Sequence, residues 1–462
     1  MRSCVNARAG RRGNVWWTVI PLLAVVVVAA VVVVVALSVD SESSTSSADV
    51  PTRPALVTVS PVVQPVAANA PEPTGAGITA QIASAAADPA LGDLGGQISD
   101  AVTGQVLWSA SPQRSFIPAS TTKVLTAAAA LLTLPLDKQI TTSVVVGSGG
   151  QVVLVGGGDP TLSVQPDGTA SFFTDAARIS DLAAQIERSG VRVTSVAVDT
   201  GLYTGTSFAP SWETADIAGG SIAPIQSVMA DSGRIDPTAL YSPRSATPAV
   251  AAGKALAADL GVPSSAVTEA TAPAGARQIA SVRSAPLETR LRDMLVDSDD
   301  VLAETIAIEV AQATGGPSSL DGGVAAVQST LASAGLDTAG VSLSDTNGLS
   351  VRDRLSAAVL DGILRAAAGS GNAKLRPLVE MLPISGATGT LADRFGNGAR
   401  SGAGWIKAKT GSLTDVNTLA GIVQTRENRV LTFALLSNGT DANRARPALD
   451  AVVTRLRDCG CR

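Results

Sequence analysis

The segment 117–132 constrains the fold most, because its apolar, alanine-rich sequence IPASTTKVLTAAAALL predicts a buried helix. Ser120 and Lys123 stand three residues apart at its start, so their side chains share one face. A neutral lysine can accept a serine proton if burial and a nearby cation lower its pKa. A helix N-terminus also favours developing negative charge. The segment is therefore either a serine nucleophile with a lysine base or the polar first turn of a core helix.

Composition narrows the chemistry that these two residues can perform. The 462-residue chain contains no histidine, which excludes a Ser-His-Asp triad, a Cys-His pair and the usual histidine-containing zinc site. We predict no metal and no cofactor. The formal net charge is −5 and no long basic block follows the N-terminus, so nucleic acid is not expected as a partner. The three cysteines lie at the chain ends, where we expect free thiols at Cys459 and Cys461 rather than a bridge.

The first 75 residues predict a membrane anchor followed by a tether. A continuous apolar run at 16–39 exceeds the ~7–15 residues of a signal-peptide core and fits a single membrane span. The preceding residues, 1–15, form a predicted cytoplasmic N-terminus whose positive charges direct the rest of the chain outward: Arg2, Arg8, Arg11 and Arg12. Residues 40–75 are expected to be a disordered linker. A cleaved export signal, leaving a secreted protein, is the alternative.

From residue 76 onward the pattern mixes strands and helices. Alternating segments predict two hairpins and three late strands, at 95–112, 141–158 and 405–437. Helical segments are predicted at 174–189, at 285–314 with a break, and at 442–458. Ser350 with Asp353 is a variant of a helix capping box. The order predicts an α+β protein whose catalytic domain, 76–145 and 285–462, is interrupted by one or two inserted domains at 146–284.

Two further motifs carry side chains suited to acyl transfer. Lys409-Thr410-Gly411 would arise by chance only roughly 0.05 times here, against roughly 0.5 times for Ser-x-x-Lys. Its lysine and threonine can bind a carboxylate, and its glycine allows close backbone approach, although a surface lysine before a turn has the same pattern. Ser298, in the break between two predicted helices, either relays a proton to a leaving amine or belongs to a polar turn.

Taken in order, Ser-x-x-Lys, Ser-Asp-x and Lys-Thr-Gly resemble the three signatures of the penicillin-recognising serine enzymes. The chain most resembles the D-alanyl-D-alanine carboxypeptidase/endopeptidases, the class C low-molecular-mass penicillin-binding proteins. Four further blocks resemble that family: GGGDPTLS at 156–163, a segment ending in Pro-x-Trp-Glu at 198–213, DTNGLSVRDRLSA at 345–357 and LPISGATGTLADR at 382–394. The resemblance implies a β-lactamase/DD-peptidase-like antiparallel sheet flanked by helices, with a β-rich insertion between the first two motifs.

The resemblance also implies a role for each site residue. Ser120 is the implied nucleophile, Lys123 its general base and Ser298 a proton relay. The substrate-binding residues it implies are Asp300, Lys409, Thr410, Gly411 and Ser412, with the N–H groups of Ser120 and Ser412 as the oxyanion hole. The implied partners are D-Ala-D-Ala stem peptides and cross-links of peptidoglycan, and β-lactams as covalent inhibitors.

One departure from the family leaves alternatives open. The family has Ser-x-Asn where this chain has Ser298-Asp299-Asp300. An ionised Asp300 only accepts hydrogen bonds, and it would hold a neighbouring ammonium protonated, which opposes the role of Lys123 as a base. We therefore expect Asp300 to weaken acylation relative to asparagine. A catalytically weakened wall-binding relative, and a β-lactamase or esterase on the same fold, remain the competing interpretations.

Overall fold

The computed structural model describes residues 70–396 and 398–460. The predicted anchor at 16–39 lies outside the described residues, as does nearly all of the predicted linker. No helix within the described ranges is long and apolar enough to cross a membrane. The first helix begins at Gly75, the last residue of the predicted linker.

The strands form two separate five-stranded sheets. In chain order they are β1 Asp93–Asp100, β2 Val106–Ala110, β3 Thr141–Val146, β4 Gln151–Val155, β5 Ser195–Asp199, β6 Val267–Glu269, β7 Gln278–Arg283, β8 Ile406–Leu413, β9 Val416–Gln424 and β10 Val430–Asn438. The first sheet has the order β2-β1-β10-β9-β8 and is antiparallel throughout. The second has the order β6-β5-β4-β3-β7.

The α-helices cover both sheets. In chain order they are α1 Gly75–Ala86, α2 Lys123–Thr133, α3 Ile179–Arg188, α4 Ala215–Gly219, α5 Pro248–Asp259, α6 Leu287–Asp297, α7 Asp300–Ala313, α8 Leu320–Ser333, α9 Ala357–Ala368, α10 Pro377–Met381 and α11 Ala442–Arg457. α1 and α11 pack on one face of the first sheet, while α2 and α9 lie on the other. This three-layer arrangement confirms the predicted α+β fold.

Strand β10 shows how the first sheet separates two cores. Phe433 and Leu435 face the layer of α1 and α11, whereas Ala434 and Leu436 face the layer of α2 and α9. Successive side chains of a strand point to opposite faces, and both faces of this strand are covered by helices. Each face of β10 therefore contributes apolar side chains to a separate core, one under α1 and α11 and the other under α2 and α9.

Helix α2 is buried along almost its whole length, as the alanine-rich sequence predicts. Its residues from Lys123 to Leu131 are all buried, and they pack against α7, α8 and α9 in the largest hydrophobic cluster. Alanine allows neighbouring helices to approach closely, because its side chain is a single methyl group. The burial fixes the position of Lys123 at the start of this helix.

The insertion is a mixed α/β unit rather than a purely β-rich one. β3 pairs antiparallel with β4 and β7, whereas β4, β5 and β6 are parallel. α3 and α5 pack on this sheet, as expected for parallel strands joined by crossover helices. Because β3 begins at Thr141, the insertion starts a few residues before the predicted boundary at 145/146.

Three local predictions differ from the structure. The helix predicted to begin at Ser350 starts at Ala357, and Ser356 caps it by accepting a hydrogen bond from the N–H of Val359. Ser350 and Asp353 are instead buried residues of a loop. The helix predicted at 174–189 is shorter, at 179–188. Cys459 is disulfide-bonded, in contrast to the expected free thiol.

Candidate functional site

Ser120 lies in a short 3₁₀ turn, Ala119–Thr122, that leads directly into α2. Ala119 adopts φ 48°, a left-handed conformation that costs an L-residue roughly 1–2 kcal/mol. The hydroxyls of Thr121 and Thr122 stabilise the turn by donating to the carbonyls of Pro118 and Ala119, at 2.6 and 3.0 Å. The neighbours of Ser120 in the turn are buried, whereas Ser120 itself is half-buried and reaches a cleft.

Lys123 is fully buried and makes three hydrogen bonds through its ammonium group. Its Nζ lies 3.1 Å from Oγ of Ser120, 2.5 Å from Oδ1 of Asp300 and 2.7 Å from the carbonyl oxygen of Asn347. An ammonium has three N–H donors, and each has one acceptor here. The spacing of Ser120 and Lys123 thus brings their side chains together as predicted.

Ser298 occupies the sharp turn between α6 and α7. It has φ 59° and ψ 35°, and its Oγ accepts a hydrogen bond from Nζ of Lys409 at 2.8 Å. The left-handed conformation ends α6 and lets α7 begin two residues later, at Asp300. Ser298, Asp300 and Ser120 all line the same cleft. The turn therefore brings Ser298 and Asp300 of the second motif to the cleft that Ser120 of the first motif lines.

Asp299 also borders the cleft, and its carboxylate anchors the turn to the insertion. Its carboxylate lies 2.9 Å from Arg234, 3.4 Å from Arg244 and 3.1 Å from the hydroxyl of Ser232. It also caps α7 by accepting from the N–H of Leu302 at 2.8 Å. Burial alone would raise the pKa of Asp299, but the two arginine charges prevail and lower it to about 2. The anchor is therefore an ionised, fully paired carboxylate.

Asp300 faces Lys123 directly. Only 12% of its side chain is exposed, and burial raises the pKa of Asp300 although the Lys123 ammonium opposes this shift. The asparagine expected from the family is thus replaced by the carboxylate half of a nearly buried ion pair. The residue that departs from the family pattern, Asp300, thus contacts Lys123, the predicted general base.

Lys409 lies on β8 and is fully buried behind the cleft wall. Its Nζ donates to Oγ of Ser298 and, at 3.0 Å, to the carbonyl oxygen of Thr410. Burial, followed by the charge of Lys123, lowers the pKa of Lys409 well below its usual range. The nitrogen of Lys409 therefore points to Ser298, and its contact with a substrate carboxylate stays a prediction.

The rest of the third motif borders the cleft. Thr410 and Ser412 line it, and the hydroxyl of Thr410 donates to that of Thr390 at 2.8 Å. A Cβ at Gly411 would collide with the side chain of Thr418 and the carbonyl oxygen of Pro118. The glycine is therefore required for β8 to pass the Ser120 turn, and the predicted close approach of the substrate backbone at this residue stays a prediction.

The loop 345–350, DTNGLS, completes the surroundings of Lys123. Gly348 has φ 87°, and a Cβ there would overlap the carbonyl of Ala119, so the loop packs directly against the Ser120 turn. Asn347 supplies the carbonyl that accepts from Lys123. In the sequence, this block carries only a family resemblance, and no role is predicted for Asn347. Nothing in its local pattern indicates which distant side chain its carbonyl would meet.

The side chain of Glu304 fixes this loop through hydrogen bonds. Its Oε1 accepts from the N–H of Thr346 at 2.8 Å and from Nδ2 of Asn347 at 2.6 Å. Burial, reinforced by the charge of Asp345, raises the pKa of Glu304 to about 8. Burial and the same neighbour raise the pKa of Asp353 to about 10. A group of largely buried carboxyl side chains therefore supports the carbonyl that contacts the lysine.

The cleft itself has a volume of about 340 Å³ and is bordered by both the catalytic domain and the insertion. The insertion contributes Gly219–Ser221 and the exposed side chains of Leu240 and Tyr241, which the sequence analysis did not single out. Four arginines also line the cleft: Arg234, Arg244, Arg394 and Arg446. In the described ranges, no cluster of Cys, Asp and Glu side chains has the arrangement of a metal site.

Comparison with known proteins identifies the family of this chain. The model of the D-Ala-D-Ala carboxypeptidase 3 (S13) family matches residues 78–243 and 239–459. The chain belongs to this family. Its membership confirms the resemblance seen in the sequence and the activity of a serine D-Ala-D-Ala carboxypeptidase.

Individual relatives cover most of the chain. It is 52% identical to a carboxypeptidase of Mycobacterium tuberculosis, over 87% of this chain and 88% of the relative. It is 51% identical to carboxypeptidase DacB of Mycolicibacterium smegmatis, over 92% of this chain and 93% of the relative. The crystal structure of penicillin binding protein 4 from Haemophilus influenzae has a TM-score of 0.65 at 19% identity, covering 83% of this chain and 98% of that chain. At that identity the likeness concerns the fold.

Proposed function

We propose that this carboxypeptidase cleaves D-Ala-D-Ala stem peptides or cross-links of peptidoglycan through an acyl-enzyme on Ser120. The observation that carries the proposal is the 3.1 Å distance between Nζ of Lys123 and Oγ of Ser120 at the edge of a cleft. In a chain without histidine, this lysine is the nearest group that can accept the serine proton.

Acylation requires the Ser120 hydroxyl to lose a proton and the amine of the leaving D-alanine to gain one. In the reacting state, the neutral amine of Lys123 accepts the proton of the Ser120 hydroxyl while Oγ forms a bond to the penultimate D-Ala carbonyl carbon. Collapse of the tetrahedral intermediate breaks the C–N bond. The leaving D-alanine receives a proton through the hydroxyl of Ser298, which lines the same cleft. Water then hydrolyses the ester and restores Ser120.

The oxyanion of the intermediate needs donors in a fixed position. We assign this role to the backbone N–H groups of Ser120 and Ser412, which belong to two segments that pack against each other at Gly411. Donors fixed before the reaction stabilise the developing charge without reorganising. β-Lactams would acylate Ser120 by the same attack and deacylate slowly.

Labelling with a fluorescent penicillin tests the proposal. The full-length protein should be labelled stably, and Ser120→Ala should abolish the label. Lys123→Met should slow labelling at least ~10²-fold, because the general base is lost. Rapid loss of the label from the unmodified protein would favour a β-lactamase, and absence of labelling a non-catalytic wall-binding protein.

Substrate preference needs a separate assay. The same protein would be offered a stem pentapeptide and a cross-linked dimer, and the release of D-alanine would be compared with the conversion of dimer to monomer. Release from the pentapeptide alone would define a carboxypeptidase. Cleavage of the dimer at a comparable rate would add an endopeptidase activity.

We further propose that residues 16–39 anchor the protein in the cell membrane, with the catalytic domain outside the cytoplasm. The length of this apolar run and the preceding arginines support the proposal. Membrane fractionation combined with protease treatment of intact spheroplasts tests it. A catalytic domain that is released into the medium would instead indicate cleavage of the N-terminal segment.

A further inference from the structure

Four arginines and three aspartates line the cleft, and most of the arginine charges are neutralised within the protein. Three of the four arginines that line it form ion pairs with carboxylates: Arg234 and Arg244 with Asp299, and Arg394 with Asp450. Arg446 forms no ion pair within residues 70–396 and 398–460. It is therefore the arginine of the cleft whose charge remains available to an anion.

Arg446 is held beside the substrate-binding strand. It lies in the first turns of α11, and its Nη2 donates to Oγ of Ser412 at 3.0 Å. Arg394, fixed by two hydrogen bonds to Asp450 at 2.6 and 2.9 Å, also donates to the carbonyl of Arg446 at 3.3 Å. The side chain of Arg446 is exposed and lines the cleft, and the hydrogen bond from Arg394 holds the helix backbone at this residue.

A D-Ala-D-Ala substrate brings a negative charge to this region. Once the scissile carbonyl lies at Ser120, the carboxylate of the leaving residue extends beyond it along β8, toward Thr410 and Ser412. The nitrogen of Lys409 is buried and bonded to Ser298 and to its own strand, so its ammonium is not exposed on the cleft wall. The nearest accessible cation on the cleft wall beside Ser412 is Arg446.

We propose that Arg446 is a specificity-determining residue that binds the free carboxylate of the residue that leaves, together with the hydroxyls of Thr410 and Ser412. This inference rests on the proposed acyl transfer at Ser120, because that reaction places the carboxylate. A guanidinium has five N–H donors, so the bond to Ser412 leaves enough for a two-point contact with a carboxylate.

The test compares two substrates that form the same acyl-enzyme. One is an acylated D-Ala-D-Ala peptide with a free carboxylate, and the other is the methyl ester of the same acyl-D-alanine, whose leaving group carries no charge. For Arg446→Ala, kcat/KM should fall roughly 10- to 100-fold on the peptide, the range for hydrogen bonds to a charged group, mainly through KM. The ester should be turned over as by the unmodified protein.

Two further variants sharpen the comparison. Arg446→Lys keeps the charge but not the two-point geometry, so its loss on the peptide should be intermediate. Arg444→Ala removes an exposed arginine from the same helix that does not line the cleft, and it should leave both substrates unaffected. Thermal unfolding of each variant, with an unchanged midpoint expected, monitors the fold.

The outcomes separate the inference from the function on which it rests. Equal losses on peptide and ester, or no loss on the peptide, would overturn the role of Arg446 while acylation of the unmodified protein leaves the proposed function intact. An unmodified protein that neither cleaves the peptide nor binds penicillin covalently would overturn both. A loss confined to the substrate with the free carboxylate supports the inference.

Discussion

Nζ of Lys123 lies 2.5 Å from Oδ1 of Asp300, so the predicted general base is one half of a nearly buried ion pair. The same nitrogen is bonded to Ser120 and to the carbonyl of Asn347. Each N–H of an ammonium at this position therefore has an acceptor, and one of the three acceptors is a carboxylate. The acid-base chemistry of the site therefore depends on how readily this ion pair gives up its proton.

Replacing Asp300 with asparagine should accelerate acylation. The amide removes the negative charge that stabilises the Lys123 ammonium, so the neutral amine becomes more accessible, and we expect a gain of roughly tenfold, about 1.4 kcal/mol. Stopped-flow labelling with fluorescent penicillin measures the second-order rate constant. An unchanged or slower acylation would show that Asp300 does not weaken the base.

Lys409→Met should impair acylation regardless of the leaving group. Lys409 donates to the hydroxyl of Ser298 and is buried away from the cleft, so its loss affects proton transfer and the local charge in every substrate. A decrease on the order of 10²-fold is expected for the peptide and the neutral ester alike. A loss on the peptide alone would mean that Lys409 binds the carboxylate after all.

Asp299→Ala should destabilise the protein and disturb the Ser298 turn. It leaves Arg234 and Arg244 buried without their carboxylate, which costs about 3–5 kcal/mol for a buried pair. Urea unfolding measures the loss, and penicillin labelling under native conditions shows the effect on the turn. Asp167→Ala, at an exposed aspartate of the insertion, is the control and should behave like the unmodified protein.

Glu304 should make stability fall as pH rises toward 8. Its folded pKa, raised by burial to about 8 from the usual 4.5, means that the folded state holds one more proton than the unfolded chain between these values. The stability that this proton supplies is full below about pH 4.5 and is lost as pH rises through 8.

The variant Glu304→Gln tests this dependence. Its amide has a similar shape but does not titrate, so its melting temperature should decline less between pH 6 and pH 8.5 than that of the unmodified protein. The difference should be about 2–4 °C for each kcal/mol of linked stability. Parallel melting curves for the two proteins would contradict the assignment, and the remaining slope would report Asp353.

The sequence predicted those elements whose signals are local. The hairpin of β1 and β2, the strands β8 to β10, the closing helix and the break between α6 and α7 all lie within a few residues of their predicted places. Each depends on periodicity or turn residues within a short window. The helix start at Ser350 was wrong because the true cap, Ser356, lies only six residues away and also precedes a helical pattern.

The contacts that shape the site were not readable in the same way. Asp300 and Asn347 are 177 and 224 residues from Lys123 in the chain, and Arg446 is 34 residues from Ser412. Such pairs meet only when the sheet and its helices have packed, and no spacing rule connects them. The direction of the Lys409 nitrogen, toward Ser298, likewise depends on how the turn after α6 meets β8.

By itself, the sequence determined the pairing of Ser120 with Lys123, because a three-residue spacing at a helix start is fixed by local geometry. It also determined that histidine chemistry is absent and that the motifs occur in the order of a penicillin-recognising enzyme. Only the tertiary structure decided which groups lie around the site. The carboxylate of Asp300 and the carbonyl of Asn347 contact Lys123, and the exposed guanidinium of Arg446 contacts Ser412. Their electrostatic effects depend on distance and burial, which arise only when remote segments come together.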